Sequence, residues 1–82
     1  MTDTEVLGLI RDALNEVEAA RAGDWATLSL DQTIEALELG SVAIMEMIGV
    51  IEERTDKTFP DEALPKINTL RDLANLIQKG SL

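Results

Sequence analysis

Cysteine and histidine are absent from this chain, and its aromatic residues are reduced to Trp25 and Phe59. Without cysteine there is no disulfide framework, no thiolate metal site, and no thiol of the chain's own for thioester chemistry. Without histidine as well, a serine has no obvious activating base, so catalysis by this chain alone is not expected. Basic residues are scarce: Lys and Arg number 7 against 16 Asp and Glu, for a net charge of −9. That balance speaks against a nucleic-acid partner, which needs clustered Lys and Arg on the phosphates. No apolar run approaches the roughly 20 residues of a membrane span, and no basic, apolar leader opens the chain. The expectation is a soluble, cytoplasmic protein with no membrane insertion.

What is present is enough for one small domain. Its 82 residues, 45% of them hydrophobic, predict a single globular unit over 1–82, monomeric and with a modest core. Built from Leu, Ile, Val, Met and Ala, that core has few large rigid plates and is suited to giving way around a guest chain. The acidic charge is unevenly placed. Between Arg21 and Arg54 there is no Lys or Arg, while Asp24, Asp31, Glu35, Glu38, Glu46, Glu52 and Glu53 all fall there. Such a field attracts basic patches on partner proteins at long range.

The apolar periodicity predicts helices. Thr2 to Glu5 offers N-cap candidates and early acids, after which Val6, Ile10, Ala13 and Val17 recur at helical spacing, widened by Leu7 and Leu14. Gly23 and Asp24 are expected to end this first helix. The stretch from Gly23 to Gly40 reads as a long loop, pinned to the core by Trp25, Leu28, Leu30, Ile34 and Leu37. A second helix is expected from about Val42 to Arg54. At about 100° per residue, Ile44, Met47, Ile48 and Ile51 share one face, and Val42, Glu46, Gly49 and Glu53 share nearly the opposite one. Pro60 and Pro65 bracket a segment, Asp61 to Leu64, that can make little more than one turn. Asp56, Asp61 and Glu62 fit no dedicated cation loop and read as solvated charge. Thr69 with Asp72 imitates a capping box at the head of a last helix, whose inward stripe is Leu70, Leu73, Ala74 and Ile77, and Gly80 stops it. The fold expected is all-α: an antiparallel four-helix bundle with a long first loop and a very short third helix.

The stretch that organises the chain is Leu37-Glu38-Leu39-Gly40-Ser41-Val42, followed by the apolar run Ala43 to Ile51. Ser41 stands where a loop gives way to a helix, the place for an N-cap hydroxyl. It is also where unpaired N–H groups and a partial positive charge favour a phosphate. From Leu37 to Ile77 the sequence resembles, without a gap, the acyl carrier protein family. In that family a Leu-Gly-x-Asp-Ser-Leu stretch opens the second helix. Ser41 falls on its serine, Val42 on the following leucine, Glu46 on the acid five places later, and Glu52-Glu53 on the acidic pair closing the helix. Phe59-Pro60-Asp61-Glu62 is similar to the segment leading into the family's short third helix, and Ile67-Asn68-Thr69-Leu70 to the one opening its last helix.

The resemblance implies a non-enzymatic carrier, with 4'-phosphopantetheine attached covalently to Ser41 and acyl intermediates held as thioesters for fatty acid, polyketide or related biosynthesis. It implies as partners a phosphopantetheinyl transferase and acyl-processing enzymes with basic surfaces, docking on Glu38, Val42, Glu46, Gly49 and Glu53. A carrier of amino-acyl units and an unmodified carrier-like interaction module are the alternatives. Two positions depart from the family pattern. Gly40 stands where an aspartate is expected before the serine, which bears on transferase recognition, and Gly49 stands where a bulky residue is expected. A free-standing carrier rather than an excised domain is expected from the position of Met1 and the short tail after the last helix.

Overall fold

The computed structural model describes residues 1–80. Three α-helices, α1 (Asp3–Val17), α2 (Ser41–Thr55) and α3 (Leu70–Lys79), are joined by segments carrying the 3₁₀ turns Ala19–Thr27, Glu35–Leu37 and Leu64–Lys66. Among the described residues the only extended pairing is an isolated bridge between Thr33 and Thr69. The architecture is therefore the all-α bundle expected, but the short third element is the 3₁₀ turn Leu64–Lys66, displaced from the expected Asp61 to Leu64. Pro65 lies inside it, because proline is tolerated at a helix start.

Two of the helices start on reciprocal caps. Thr2 accepts the Glu5 N–H while Glu5 accepts the Thr2 N–H, and Thr69 and Asp72 repeat the arrangement at α3. Each box satisfies backbone donors that a helix start leaves open. Both acids are held below their ordinary carboxylate range by these bonds, Glu5 chiefly by the Thr2 backbone N–H and Asp72 by those of Asn68 and Thr69.

The first helix is shorter than its sequence suggests. It ends at Val17, with Glu18 at φ −135, ψ 58, and the chain continues as the 3₁₀ segment rather than running to Gly23 and Asp24. The reason is Trp25. Its ring is buried, its Nε1 donates to Glu18 O at 3.4 Å, and its own carbonyl accepts from Arg11 Nε at 2.8 Å. The break at Glu18 lets the indole turn in against α1, which a continuous helix would not allow. The remaining anchors behave as expected: Leu28, Leu30 and Leu37 are buried and Ile34 packs against them.

Val6, Ile10, Ala13 and Leu14 of α1 meet Ala43, Met47, Ile48 and Ile51 of α2 and Leu70, Leu73, Ala74, Leu76 and Ile77 of α3 in one core. Each such aliphatic side chain contributes about 1.5–3 kcal/mol on leaving water. The long first loop is tied to the head of α3 by backbone bonds: Ile34 N to Asn68 O, Leu70 N to Gln32 O, and Arg71 N to Leu30 O, at 2.8–2.9 Å. Past the other end, Lys57 Nζ donates to Ile77 O. Ile44 near the start of α2 and Leu73 near the start of α3 share one cavity. The segment from Asp56 to Thr69 thus returns along the bundle, so α2 and α3 run in the same sense, a refinement of the antiparallel arrangement expected.

Candidate functional site

Ser41 is exposed and is the first residue of α2, not its cap. The N-cap is Gly40, in extended backbone at φ −71, ψ 161, and its carbonyl accepts the first helical bond from Ile44 N at 3.0 Å. This corrects the cap position expected from sequence by one residue. Gly40 has no side chain with which to cap, so α2 starts without the carboxylate-and-hydroxyl box found at α1 and α3. The N–H groups of Ser41, Val42 and Ala43 have no carbonyl four residues back within the helix. They carry the positive end of its dipole, a setting that favours a phosphate ester on the adjacent hydroxyl. A Cβ on Gly40 would meet nothing within 4 Å beyond the adjoining residues, and Ser41 beside it is exposed.

The segment before Ser41 is held from one side by Arg21. Its Nη2 donates to Leu37 O at 2.8 Å and its Nη1 to Glu38 O at 3.2 Å, while Nε pairs with Asp24 Oδ2 at 2.9 Å. The guanidinium also lies 4.6 Å from the centre of the Trp25 ring. Glu38, one of the expected docking residues, sits at φ 55, ψ 44, a left-handed conformation that non-glycine residues rarely adopt.

Along α2, Val42, Glu46, Gly49 and Glu53 are all exposed, as their spacing predicts. The acidic pair divides. Glu53 faces solvent, while Glu52 is half-buried and its Oε2 accepts the Phe59 N–H at 2.7 Å, fixing the chain as it leaves the helix. Sequence reasoning missed Met45. It is 55% exposed and, with Val42 at 72%, gives this face an apolar stripe between its acids. The same 100° periodicity places Met45 beside Ser41 and Gly49, so the signal was there. It missed Arg21 too, because a contact spanning 16 residues of loop leaves no local pattern.

One turn along α2 from Ser41 lies an apolar cavity of about 200 Å³, lined among others by Ile34, Ile44, Ile48, Leu64, Ile67 and Leu73. A larger hollow of about 330 Å³ lies at the opposite end of the helix, among Arg54, Thr55, Lys57 and Gln78. That is about 21 Å away at 1.5 Å per residue. Its rim is charged and its cations are engaged, Arg54 with Asp12 and Glu16, and Lys57 with Ile77 O. The smaller cavity is the one that bears on Ser41.

A family model described as the phosphopantetheine attachment site matches residues 4–77, nearly the whole chain. The chain belongs to the phosphopantetheine-attachment family. Comparison with curated proteins and with solved structures finds no significant match. The family is defined by covalent attachment of 4'-phosphopantetheine, and carrier domains of this kind work with transferases and processing enzymes. The geometry suits that group, since an exposed hydroxyl stands at an uncapped helix start with open space beside it. No helix among the described residues is long and apolar enough to cross a membrane.

Proposed function

We propose that this carrier domain is a non-enzymatic acyl carrier of a single domain, with Ser41 as its sole attachment point for 4'-phosphopantetheine. The observation that carries this reading is the coincidence of an exposed serine with the uncapped, unobstructed start of α2. In the loading step Ser41 Oγ attacks the pyrophosphate of coenzyme A and forms an O–P bond. Adenosine 3',5'-bisphosphate leaves, and the hydroxyl proton passes to a base on the transferase. The N–H groups of Ser41, Val42 and Ala43, at the positive end of the helix dipole, would hold the phosphodiester. When bound, the group supplies the terminal thiol that this cysteine-free chain lacks, and so the capacity to hold an acyl chain as a thioester.

The chain's own residues would do two further things. The apolar lining of the cavity beside Ile44 supports an aliphatic acyl cargo over an amino-acyl one, because an ammonium group would find no partner there. Glu38, Glu46 and Glu53, with Val42, Met45 and Gly49 between the acids, form a docking surface for basic-surfaced transferases and acyl-processing enzymes. Cytoplasmic biosynthesis of fatty acids, polyketides or related chains is the setting that fits this reading.

Intact mass after incubation with coenzyme A and a broad-specificity phosphopantetheinyl transferase tests it. One phosphopantetheinyl addition is expected, and none on Ser41→Ala. Label persisting on the alanine variant would overturn the assignment. An unmodified wild type would favour the second reading, a carrier-like interaction module.

A further inference from the structure

We propose that Arg21 is a positioning residue for Ser41, a latch that fixes the loop leading into α2 and so sets how the serine is presented to its transferase. The proposal rests on the carrier reading of Ser41 but has a readout of its own. Arg21 borders the acidic stretch around Ser41 and is the last basic residue before Arg54. Its guanidinium is spent on the backbone: two N–H groups bind the carbonyls of Leu37 and Glu38, and a third binds Asp24. Those carbonyls lie at the end of the 3₁₀ turn Glu35–Leu37, only three or four residues before Ser41.

The held segment is one that would not hold itself. Glu38 sits in the left-handed region, a backbone conformation that disfavours any side chain. Its own backbone bond, Glu38 N to Glu35 O at 3.0 Å, closes only a single 3₁₀ turn. Leu39 is half-buried against the core, and Gly40 is free to vary its backbone. Between the buried Leu37 and the first bonded turn of α2, the planar fork of Arg21 is therefore the main constraint on the path to Ser41. The fork is in turn fixed in place by Asp24 and by the face of Trp25, which is itself bonded at Nε1 and at its carbonyl. A lysine could not reproduce this, since one ammonium cannot span Asp24 and two carbonyls in a fixed plane.

Two of the three docking acids, Glu46 and Glu53, lie on α2 itself and do not depend on this latch; only Glu38 lies in the latched segment. Loosening it should thus disturb the reaction more than the encounter. Arg21→Met keeps the stem over the ring and removes the fork. In steady-state transfer from coenzyme A by a broad-specificity transferase, kcat is expected to fall about tenfold, as misplaced reacting groups do, with KM for the carrier changed less than about twofold. Amide hydrogen exchange should quicken at Leu37, Glu38 and Ile44, whose N–H groups are bonded within this turn and at the head of α2, and stay unchanged in α3. Arg21→Lys should behave like Arg21→Met. Arg71→Gln is the control: it removes the ion pairs with Asp3 and Asp31, but touches neither the latch nor its supports and should leave kcat as in wild type. A folded Arg21→Met with wild-type kcat, unchanged exchange at Leu37, Glu38 and Ile44, or full rescue by lysine would each overturn the latch. If wild type takes up no phosphopantetheine, the carrier reading fails instead, and the exchange data alone decide whether Arg21 orders this loop.

Discussion

Gly40 and Ser41 straddle the boundary of α2, the glycine as an extended N-cap and the serine as the first helical residue. A serine one place earlier would be expected to spend its hydroxyl on capping the helix. Here the capping position is vacant of any side chain and the hydroxyl stands beside it. Gly40 thus leaves the cap without a side chain, while its extended backbone presents Ser41 as the first helical residue.

Gly40→Asp should stabilise the protein. The backbone at φ −71 suits an aspartate, and no atom lies within 4 Å of the new Cβ. An aspartate cap is worth a few tenths of a kcal/mol over glycine, and its charge at the helix start about 0.3–1 kcal/mol. Thermal unfolding should rise by a few degrees. If the missing acid is what a standard fatty-acid-type transferase reads, modification by that enzyme should rise as well. Equal rates for both folded proteins would show that Gly40 is neutral for recognition.

Gly49→Ala should also stabilise. Gly49 is exposed in the middle of α2, and a methyl there meets nothing within 4 Å. Replacing an interior helical glycine by alanine gains about 0.8–1 kcal/mol, or roughly 4–8 °C in a domain this small. A melting curve that fails to move would mean the glycine is compensated elsewhere in the helix.

How much of this was legible beforehand follows from how local each feature is. The capping box of Thr69 and Asp72, the stripe of α3 and the exposed set Val42, Glu46, Gly49 and Glu53 are written in short spacings, and the structure bears them out. The stop of α1 at Val17 was not legible, because no Gly or Pro marks it: a tryptophan eight residues later decides it through its own burial. The same holds for Arg21 and for the cavity beside Ile44, which draws on the first loop, α2, the 3₁₀ turn Leu64–Lys66 and α3 together. Contacts of that range leave no periodicity to read.

The capping boxes should make helix starts sensitive to acid. The carboxyl of Asp72 is held below its ordinary range by the N–H groups of Asn68 and Thr69, and that of Glu5 by Thr2. A depressed carboxylate stabilises the fold above its unfolded pKa, and the contribution is lost as pH falls through the folded one. Protection of the Asn68, Thr69 and Asp72 amides, relative to their intrinsic exchange rates, should therefore fall as pH drops below the ordinary carboxylate range. Asp72→Asn should remove that local dependence. Thr69→Ala should cost about 1 kcal/mol at neutral pH.

The exposed face of α2 proposed for docking carries both charge and apolar surface, and salt separates the two. Glu46 and Glu53 are exposed one on either side of Gly49 in the sequence, with Val42 and Met45 beside them on the same face. Charges so placed act mainly on encounter. Screening over about 10 Å at 0.1 M and about 3 Å at 1 M should slow association with a basic-surfaced acyl-processing enzyme. Reversal of Glu46 and Glu53 to Lys should lower kon at low salt by about tenfold, within the range electrostatic steering supplies, with the helical circular-dichroism signal unchanged. At high salt the reversed and wild-type proteins should converge, because the steering is then gone from both. Met45→Ala should behave oppositely, raising koff by a similar factor at every salt concentration, since apolar contact is lost rather than attraction at a distance. Association indifferent to salt and to both reversals, but abolished by Met45→Ala, would assign the recognition to the apolar stripe and leave the acids around Ser41 without a docking role.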